Sequence, residues 1–255
     1  MSDDRRLRAR HDELPRSLEV RHPRRLLLHG LRPFVRVYTR RRFGVTVHGA
    51  DRVPASGPVI LAANHLGWLD GPLLAVHSPR AVHALTKREI FTGRMERFML
   101  GAGQIPIDRF APDPAAIKTC LRVLRDGGTM AIFPEGARGP GEFELFQRGA
   151  AYLALITGAP VIPVIFFGTR ERGADSHSRP SRQAPPVDIV FGEPWRRPAS
   201  PWPRRKADVA AATESLREHL LEVLKDALTL TGRELPGPLP RDDSERDVAA
   251  KQAAQ

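Results

Sequence analysis

The sequence contains very little cysteine and no long apolar run. Cys120 is the single cysteine among 255 residues, so an intrachain disulfide is impossible, which is compatible with a reducing compartment. No run reaches the roughly 18 apolar residues that a membrane-spanning helix needs. The N-terminus is charged throughout, and no signal peptide is visible in it. These absences predict a protein that is soluble or lies on a membrane surface.

Acidic and aromatic residues are also scarce. The chain has 29 acidic residues against 40 Lys and Arg, a net charge of +11, which favours an anionic partner such as nucleic acid, acidic lipid or a phosphorylated substrate. Aromatic residues make up 6%, few for base stacking, and no recognised nucleic-acid-binding module is present. We therefore expect no nucleic-acid partner.

The chain is organised around one short apolar stretch. Residues 59–63 have the composition and length of a buried strand. The run ends in Asn64 and His65, and Gly67 then permits a sharp turn into a short helix near Asp70. On one straight helix, positions five apart lie about 140° apart around the axis. The bend at Gly67 therefore allows His65 and Asp70 to face each other.

A histidine with a neighbouring carboxylate is the usual pairing of a general base with the group that orients it. A carboxylate bonded to one imidazole nitrogen fixes the tautomer and raises the basicity of the other nitrogen. His65 is thus a candidate base oriented by Asp70. Open α/β sheets place their sites at the carboxyl ends of strands, where His65 is predicted to lie. A purely structural His–Asp pair remains the alternative, because the pattern is short.

The chain alternates strand and helix signals, which predicts an α/β fold: a single domain with a mixed, mostly parallel β-sheet flanked by helices. We predict strands at 45–48, 59–63, 81–86, 104–107, 129–133, 161–167 and 187–191. The domain is expected to span 44–231, after a disordered tail at 1–17 and a basic amphipathic helix at 18–43. A second disordered tail is expected at 232–255.

The amphipathic helix has two interpretations. Its apolar stripe is bulky and is flanked almost entirely by arginines, a pattern typical of helices that lie in the interface of an anionic bilayer. The alternative is a helix that packs on the core with a solvated arginine face. The stripe consists of Leu26, Leu27, Leu28, Leu31, Phe34, Val35 and Tyr38.

Further strand ends carry polar groups. The strand at 104–107 leads into Asp108 and Arg109, and the strand at 129–133 opens into a loop with Glu135, Gly136 and Arg138. If these ends converge at one edge, a base beside two arginines suits transfer to a hydroxyl of a phosphate-bearing molecule. A plain surface turn is the alternative for the loop taken alone.

Taken in order, these blocks resemble the glycerolipid acyltransferase family, whose best-known members are the 1-acylglycerol-3-phosphate acyltransferases. The resemblance covers about residues 45–193. Residues 64–70 are similar to its Asn-His-x4-Asp motif, 87–91 to its Lys-x-Glu-Leu segment, 103–109 to the block whose Arg binds the acceptor phosphate, 133–138 to its Phe-Pro-Glu-Gly-Thr-Arg block, and 161–164 to its fourth block.

The resemblance implies an acyl transfer without cofactor, metal or acyl-enzyme. His65, oriented by Asp70, would deprotonate the hydroxyl of a lysophospholipid, which attacks the thioester of acyl-CoA or acyl-carrier protein directly. Arg109 and Arg138 would hold the phosphate. The other substrate-binding residues that it implies are Asn64, Lys87, Glu135 and Gly136, with Glu135 orienting an arginine. The expected place is the cytoplasm, peripheral on the inner face of the cell membrane, with its anionic surface as a further partner.

Two departures from the family pattern leave the acceptor open. Ala137 stands where the family usually has Thr or Ser, and Gln147 stands where it often has Lys, with Arg148 next to it. The most favoured acceptor is 1-acylglycerol 3-phosphate, which would give phosphatidate. Alternatives are glycerol 3-phosphate, another lysophospholipid, an aminolipid or a glycolipid. A non-catalytic peripheral protein that binds anionic lipid is the remaining hypothesis.

Overall fold

The computed structural model describes residues 15–24, 30 and 32–253. This part of the chain forms seven strands and seven α-helices. The strands are β1 Thr46–His48, β2 Val59–Ala63, β3 Val82–Lys87, β4 Ile105–Ile107, β5 Thr129–Ile132, β6 Val161–Phe167 and β7 Asp188–Phe191. The helices are α1 Arg32–Phe43, α2 Asp70–His77, α3 Gly93–Gly101, α4 Pro114–Arg125, α5 Gly149–Thr157, α6 Lys206–Thr231 and α7 Ser244–Ala253.

The strands form one sheet in the order β1-β7-β6-β2-β5-β3-β4. Every neighbouring pair is parallel except β6 and β7, which are antiparallel. The prediction of a single α/β domain with a mostly parallel sheet is therefore confirmed. The parallel neighbours β2, β5, β3 and β4 all end at the same edge, which is what later brings their polar ends together.

The central strand β2 is buried on both faces, and its side chains alternate between two cores. Ile60 and Ala62 pack with apolar residues of α4, α5 and α6. Leu61 and Ala63 pack on the other face, where α2 contributes Leu73 and Leu74. Burying one such large aliphatic side chain contributes about 1.5–3 kcal/mol. The result is a three-layer arrangement of helices, sheet and helices, typical of parallel sheets.

Pro163 lies in β6, which is inside the sheet between β2 and β7. Pairing with β7 ends at Val164 and Phe191, and the register shifts by one residue before the isolated bridge of Val161 with Trp195. In this gap the carbonyl oxygen of Pro163 accepts the backbone N–H of Gly192 at 2.8 Å. Pro163 lies in this gap, where its missing N–H removes no ladder bond.

The N-terminal prediction agrees only in part. Residues 18–24 are not helical, Gly30 and α1 are helical, and the predicted stripe residues Leu26, Leu27, Leu28 and Leu31 lie outside the described residues. Arg36 donates to the carbonyl oxygens of Val76 and Ser78 at 2.8 and 3.3 Å, so α1 is held at the C-terminus of α2. Phe34 and Tyr38 remain exposed, at 76% and 64%.

Both predicted disordered tails contain packed residues where the structure describes them. Ser17 is buried and accepts a hydrogen bond from Arg125. Residues 232–253 contain α7, and the carboxylate of Asp243 accepts from the backbone N–H and hydroxyl of Ser176 at 2.6 and 3.0 Å. Polar contacts and a few aliphatic side chains, Leu235 and Leu239, hold these segments, so composition did not reveal them. None of the helices in the described ranges is long and apolar enough to cross a bilayer.

Candidate active site

Four neighbouring strand ends deliver polar side chains to one edge of the sheet. His65 follows β2, Lys87 ends β3, Arg109 follows β4, and the loop after β5 carries Arg138. All four line one cavity of about 1330 Å³, together with Gly136. The convergence predicted from the sequence is what the parallel sheet produces, because its carboxyl ends share an edge.

His65 and Asp70 meet across the turn between β2 and α2. Nδ1 of His65 lies 2.8 Å from Oδ2 of Asp70, and the same oxygen accepts the backbone N–H groups of Leu66 and Gly67 at 2.6 and 2.9 Å. Asp70 is the first residue of α2 and is fully buried. Gly67 permits a close approach, since an added Cβ would lie 3.1 Å from the carbonyl oxygen of Thr169.

This network assigns the tautomer of His65. An oxygen that already accepts two backbone N–H groups is also an acceptor towards the ring. We therefore place the imidazole proton on Nδ1, which leaves Nε2 as the acceptor. The ring stacks on Phe133 with centroids 4.1 Å apart, and its side chain is 18% exposed. The imidazole is thus fixed by two neighbours and reachable from the cavity, as a general base must be.

Glu135 supports the histidine rather than an arginine. Its Oε1 accepts the backbone N–H of His65 at 2.9 Å. Burial raises the pKa of Glu135 to about 8, Asp70 and Glu142 add to the rise, and the backbone N–H groups of His65 and Gly141 oppose it. The structure pairs Glu135 with no arginine in the residues it describes, so the expectation that it orients one is corrected. Its carboxyl group joins the ends of β5 and β2.

Asn64 also has a different place from the one expected. Its side-chain Oδ1 accepts the N–H of Phe166 at 2.7 Å, and its Nδ2 donates to the carbonyl oxygen of Phe166 at 3.2 Å. The residue is fully buried. Both ends of the amide are therefore used to continue the pairing of β2 with β6, which corrects its assignment to substrate binding.

Three cations gather beside the histidine. Lys87, Arg109 and Arg138 are all within ion-pair distance of one carboxylate, that of Glu245 in α7. Burial lowers the pKa of Arg138, and the nearby Glu245 partly restores it. Within the described residues, Nε of Arg109 and Nε and Nη1 of Arg138 are buried and have no hydrogen-bond acceptor. This cation cluster thus offers more donors than one carboxylate engages.

Glu245 and Arg170 are site residues that sequence reasoning missed. Arg170 is buried, and its guanidinium donates to the carbonyl oxygens of Leu66 and Gly139 at 2.9 and 3.1 Å, which ties the loops after β2 and β5 together. No motif marks it. For Glu245, the available signal was the Asp-Ser-Glu start of a helix, where Asp243 accepts the backbone N–H of Glu245 at 2.9 Å.

The rest of the cavity wall is largely apolar. The contributing side chains come from α1, α2 and α3 and from the segment after β3; they are Val35, Pro72, Ala75, Val76, Ile90, Met95, Phe98 and Met99. Gln147 and Arg148 both line the cavity, so a cation is available next to the position where a lysine was expected. Such a wall suits an alkyl chain, with the polar groups at one end.

Neither a reactive thiol nor a metal site accompanies these residues in the part of the chain that the structure describes. Cys120 is fully buried in α4, and burial raises the pKa of its thiol, which disfavours a thiolate nucleophile. In the described ranges, no group of three or more His, Cys, Asp or Glu side chains is arranged to hold a metal ion.

Comparison with known proteins gives concordant results. A family profile described as Acyltransferase matches residues 44–167. The chain is 29% identical over 184 residues to the 1-acyl-sn-glycerol-3-phosphate acyltransferase of Bacillus subtilis, covering 71% of this chain and 89% of that protein. It is 27% identical over 132 residues to the chloroplastic 1-acyl-sn-glycerol-3-phosphate acyltransferase LPAT1 of Arabidopsis thaliana, covering 50% of this chain and 37% of that protein.

The fold also has a counterpart among solved structures. The 1-acyl-sn-glycerophosphate acyltransferase PlsC of Thermotoga maritima superposes with a TM-score of 0.60 at 24% sequence identity, over 81% of this chain and 80% of that one. At this identity the likeness concerns the fold.

Proposed function

We infer from these similarities that the chain is a member of the glycerolipid acyltransferase family, and we propose that it acylates the free hydroxyl of 1-acylglycerol 3-phosphate to give phosphatidate. The acyl donor is a thioester, acyl-CoA or acyl-carrier protein. The observation that carries the proposal is the placement of His65, with Nε2 unprotonated, in the same cavity as Lys87, Arg109 and Arg138.

In the proposed reaction His65 acts as the base. Its Nε2 takes the proton of the acceptor hydroxyl while the oxygen attacks the thioester carbonyl carbon. The tetrahedral intermediate collapses with cleavage of the C–S bond, and the thiol leaves with the proton returned from the imidazolium. Asp70 holds the ring and stabilises its transient charge. Such general-base assistance contributes about 10²–10⁴-fold in rate, and the rest comes from positioning.

The cation cluster supports a phosphate-bearing acceptor. A phosphate monoester brings three terminal oxygens that share up to two negative charges, whereas one carboxylate brings two oxygens that share one. The buried N–H groups of Arg109 and Arg138 that have no acceptor among the described residues match this surplus. The apolar wall beyond them would take the alkyl chains of the substrates.

The residues at the cavity rim support the proposal that catalysis takes place at an anionic membrane surface. Val35 of α1 and Met95 and Phe98 of α3 line the cavity and are also 37%, 50% and 50% exposed. The last turn of α1 adds the basic residues 40–42. We therefore place the protein peripherally on the cytoplasmic face of the cell membrane, where a lysophospholipid could enter the cavity from the bilayer.

The test is acylation by the purified full-length protein, with products identified by mass spectrometry. We expect phosphatidate from lysophosphatidate and acyl-CoA, loss of product with His65→Ala, and normal product with His219→Ala, a half-buried histidine on α6 that does not line the cavity. Equal product from His65→Ala and wild type would refute the base. A monoacylglycerol acylated as fast as lysophosphatidate, with no effect of Arg109→Ala, would refute the phosphate acceptor.

A further inference from the structure

The C-terminal residues 235–253, which we call the strap, cross the candidate active site. We propose that the strap is a tethered competitor of the acceptor: Glu245 occupies the cation cluster of Lys87, Arg109 and Arg138, and must leave when an anionic acceptor binds. The identification of the competing acceptor as a phospholipid precursor rests on the proposed function. The competition with an anion does not.

Glu245 is held as an anionic ligand would be. Its carboxylate oxygens lie 3.3 Å from Nζ of Lys87, 3.3 Å from Nη1 of Arg109 and 3.9 Å from Nη1 of Arg138. The residue is 3% exposed. Burial raises the pKa of Glu245, but Arg138, Arg109 and Lys87 outweigh it and lower the pKa overall. The carboxylate is therefore charged while it occupies the cluster.

The fit of this carboxylate is incomplete. Ion pairs of 3.3–3.9 Å are longer than the roughly 2.7–2.9 Å of good charge-assisted hydrogen bonds. Three buried N–H groups of Arg109 and Arg138 find no acceptor in the part of the chain that the structure describes. An anion with more oxygens would satisfy more of these donors, so a phosphate has the advantage over Glu245 within the cluster.

The strap is attached by polar contacts and, at its N-terminal end, by the packed side chains of Leu235 and Leu239. Asp243 binds Ser176, and Arg170 donates to the carbonyl oxygen of Gly237. At the other end, Gln252 lies over Gly136, where an added Cβ would come within 2.8 Å of the amide oxygen. These anchors flank Glu245 and direct it to the cluster.

Little apolar burial holds α7 in place. The buried side chains that the structure describes in α7 are those of Glu245 and Gln252, both polar. Segments with few buried apolar contacts open at low free-energy cost. A tethered group acts at an effective concentration on the order of millimolar, so the strap competes effectively with a dilute acceptor and yields to a concentrated one.

The first experiment compares full-length wild type with Glu245→Gln. The variant keeps the shape of the side chain and removes its charge. We expect the Kd for inorganic phosphate, measured by calorimetry, and the KM for lysophosphatidate each to fall about tenfold, because a larger fraction of the protein then has its cation cluster open to an anion. The control is Asp242→Asn, which removes an exposed charge from the same segment.

An unchanged or higher Kd for phosphate in Glu245→Gln would overturn the proposal, since Glu245 would then be a fixed part of the site. Tighter phosphate binding without acylation of any phosphate-bearing acceptor would instead refute the proposed function and leave the competition standing.

The second experiment needs no variant. Amide hydrogen exchange of the wild-type chain is measured with and without saturating phosphate. We expect exchange in α7 to become faster on phosphate addition, while α5 in the core stays unchanged. Slower exchange would mean that the strap closes over the anion, and unchanged exchange would mean that it stays in place; either result overturns the proposal.

Discussion

Oδ2 of Asp70 lies 2.8 Å from Nδ1 of His65 and also accepts the backbone N–H groups of the next two residues, Leu66 and Gly67. One carboxylate oxygen therefore fixes both the imidazole and the turn that carries it. The consequence is that Asp70 determines the tautomer of His65 as well as its position.

Asp70→Asn should abolish most activity while the chain still folds. With its oxygen in the place of Oδ2, the amide can still accept the three N–H groups, but it carries no charge to stabilise the imidazolium. Its NH₂ group would take the place of Oδ1, which is buried and has no hydrogen-bond partner among the described residues. We expect kcat to fall about 10²–10⁴-fold. The measurement is kcat with thermal unfolding in parallel. The matched control is Asp226→Asn, at an exposed position of α6. Wild-type kcat in Asp70→Asn would contradict the role of the Asp70 charge in catalysis.

Glu135→Gln should change how stability depends on pH. Burial raises the pKa of Glu135 from 4.5 to about 8, so between these values the folded chain holds a proton that the unfolded chain releases. The contribution of this group is greatest below about pH 4.5 and is lost as pH rises through about 8, by at most about 1.4 kcal/mol per pH unit.

The glutamine keeps the acceptor oxygen for His65 and cannot ionise. Urea unfolding at a series of pH values should therefore show the free energy of unfolding of the variant gaining on wild type from about pH 5 to about pH 8. Parallel curves would mean that Glu135 is ionised in the folded chain.

Asn64→Ala should cost stability because it leaves the N–H and C=O of Phe166 buried without partners. We expect a loss of about 1–3 kcal/mol in the free energy of unfolding, whereas Gln183→Ala at an exposed position should change little. Denaturant unfolding and the KM for the acceptor are measured together. A raised KM at unchanged stability would restore Asn64 to substrate binding.

The double variant Phe34→Ser, Tyr38→Ser should weaken membrane binding because both side chains are exposed on α1. Each fully inserted aromatic side chain contributes about 1.5–3 kcal/mol of apolar transfer. Sedimentation with phosphatidylglycerol vesicles measures the effect, and Leu230→Ser, 60% exposed at the end of α6, is the control. Equal sedimentation of both variants and wild type would place the membrane contact elsewhere.

The sequence by itself determined the features that depend on neighbouring residues. The strand Val59–Ala63 was predicted with its observed bounds, and the cap of α4 by Asp113, which accepts the N–H of Ala116 at 3.0 Å, follows from local turn chemistry. The pairing of His65 with Asp70 belongs here too, because a bend within five residues brings them together. Apolar periodicity, caps and turns are local signals, so one chain suffices to identify them.

The tertiary structure alone decided which partner each buried polar group receives. Asn64 meets Phe166, Glu135 meets the backbone of His65, and Glu245 reaches Arg109 across 136 positions of the chain. A polar segment such as the strap has the composition of a disordered tail. It is ordered because the sheet edge gathers three cations that no local pattern brings together, and the charge of one distant carboxylate is stabilised among them.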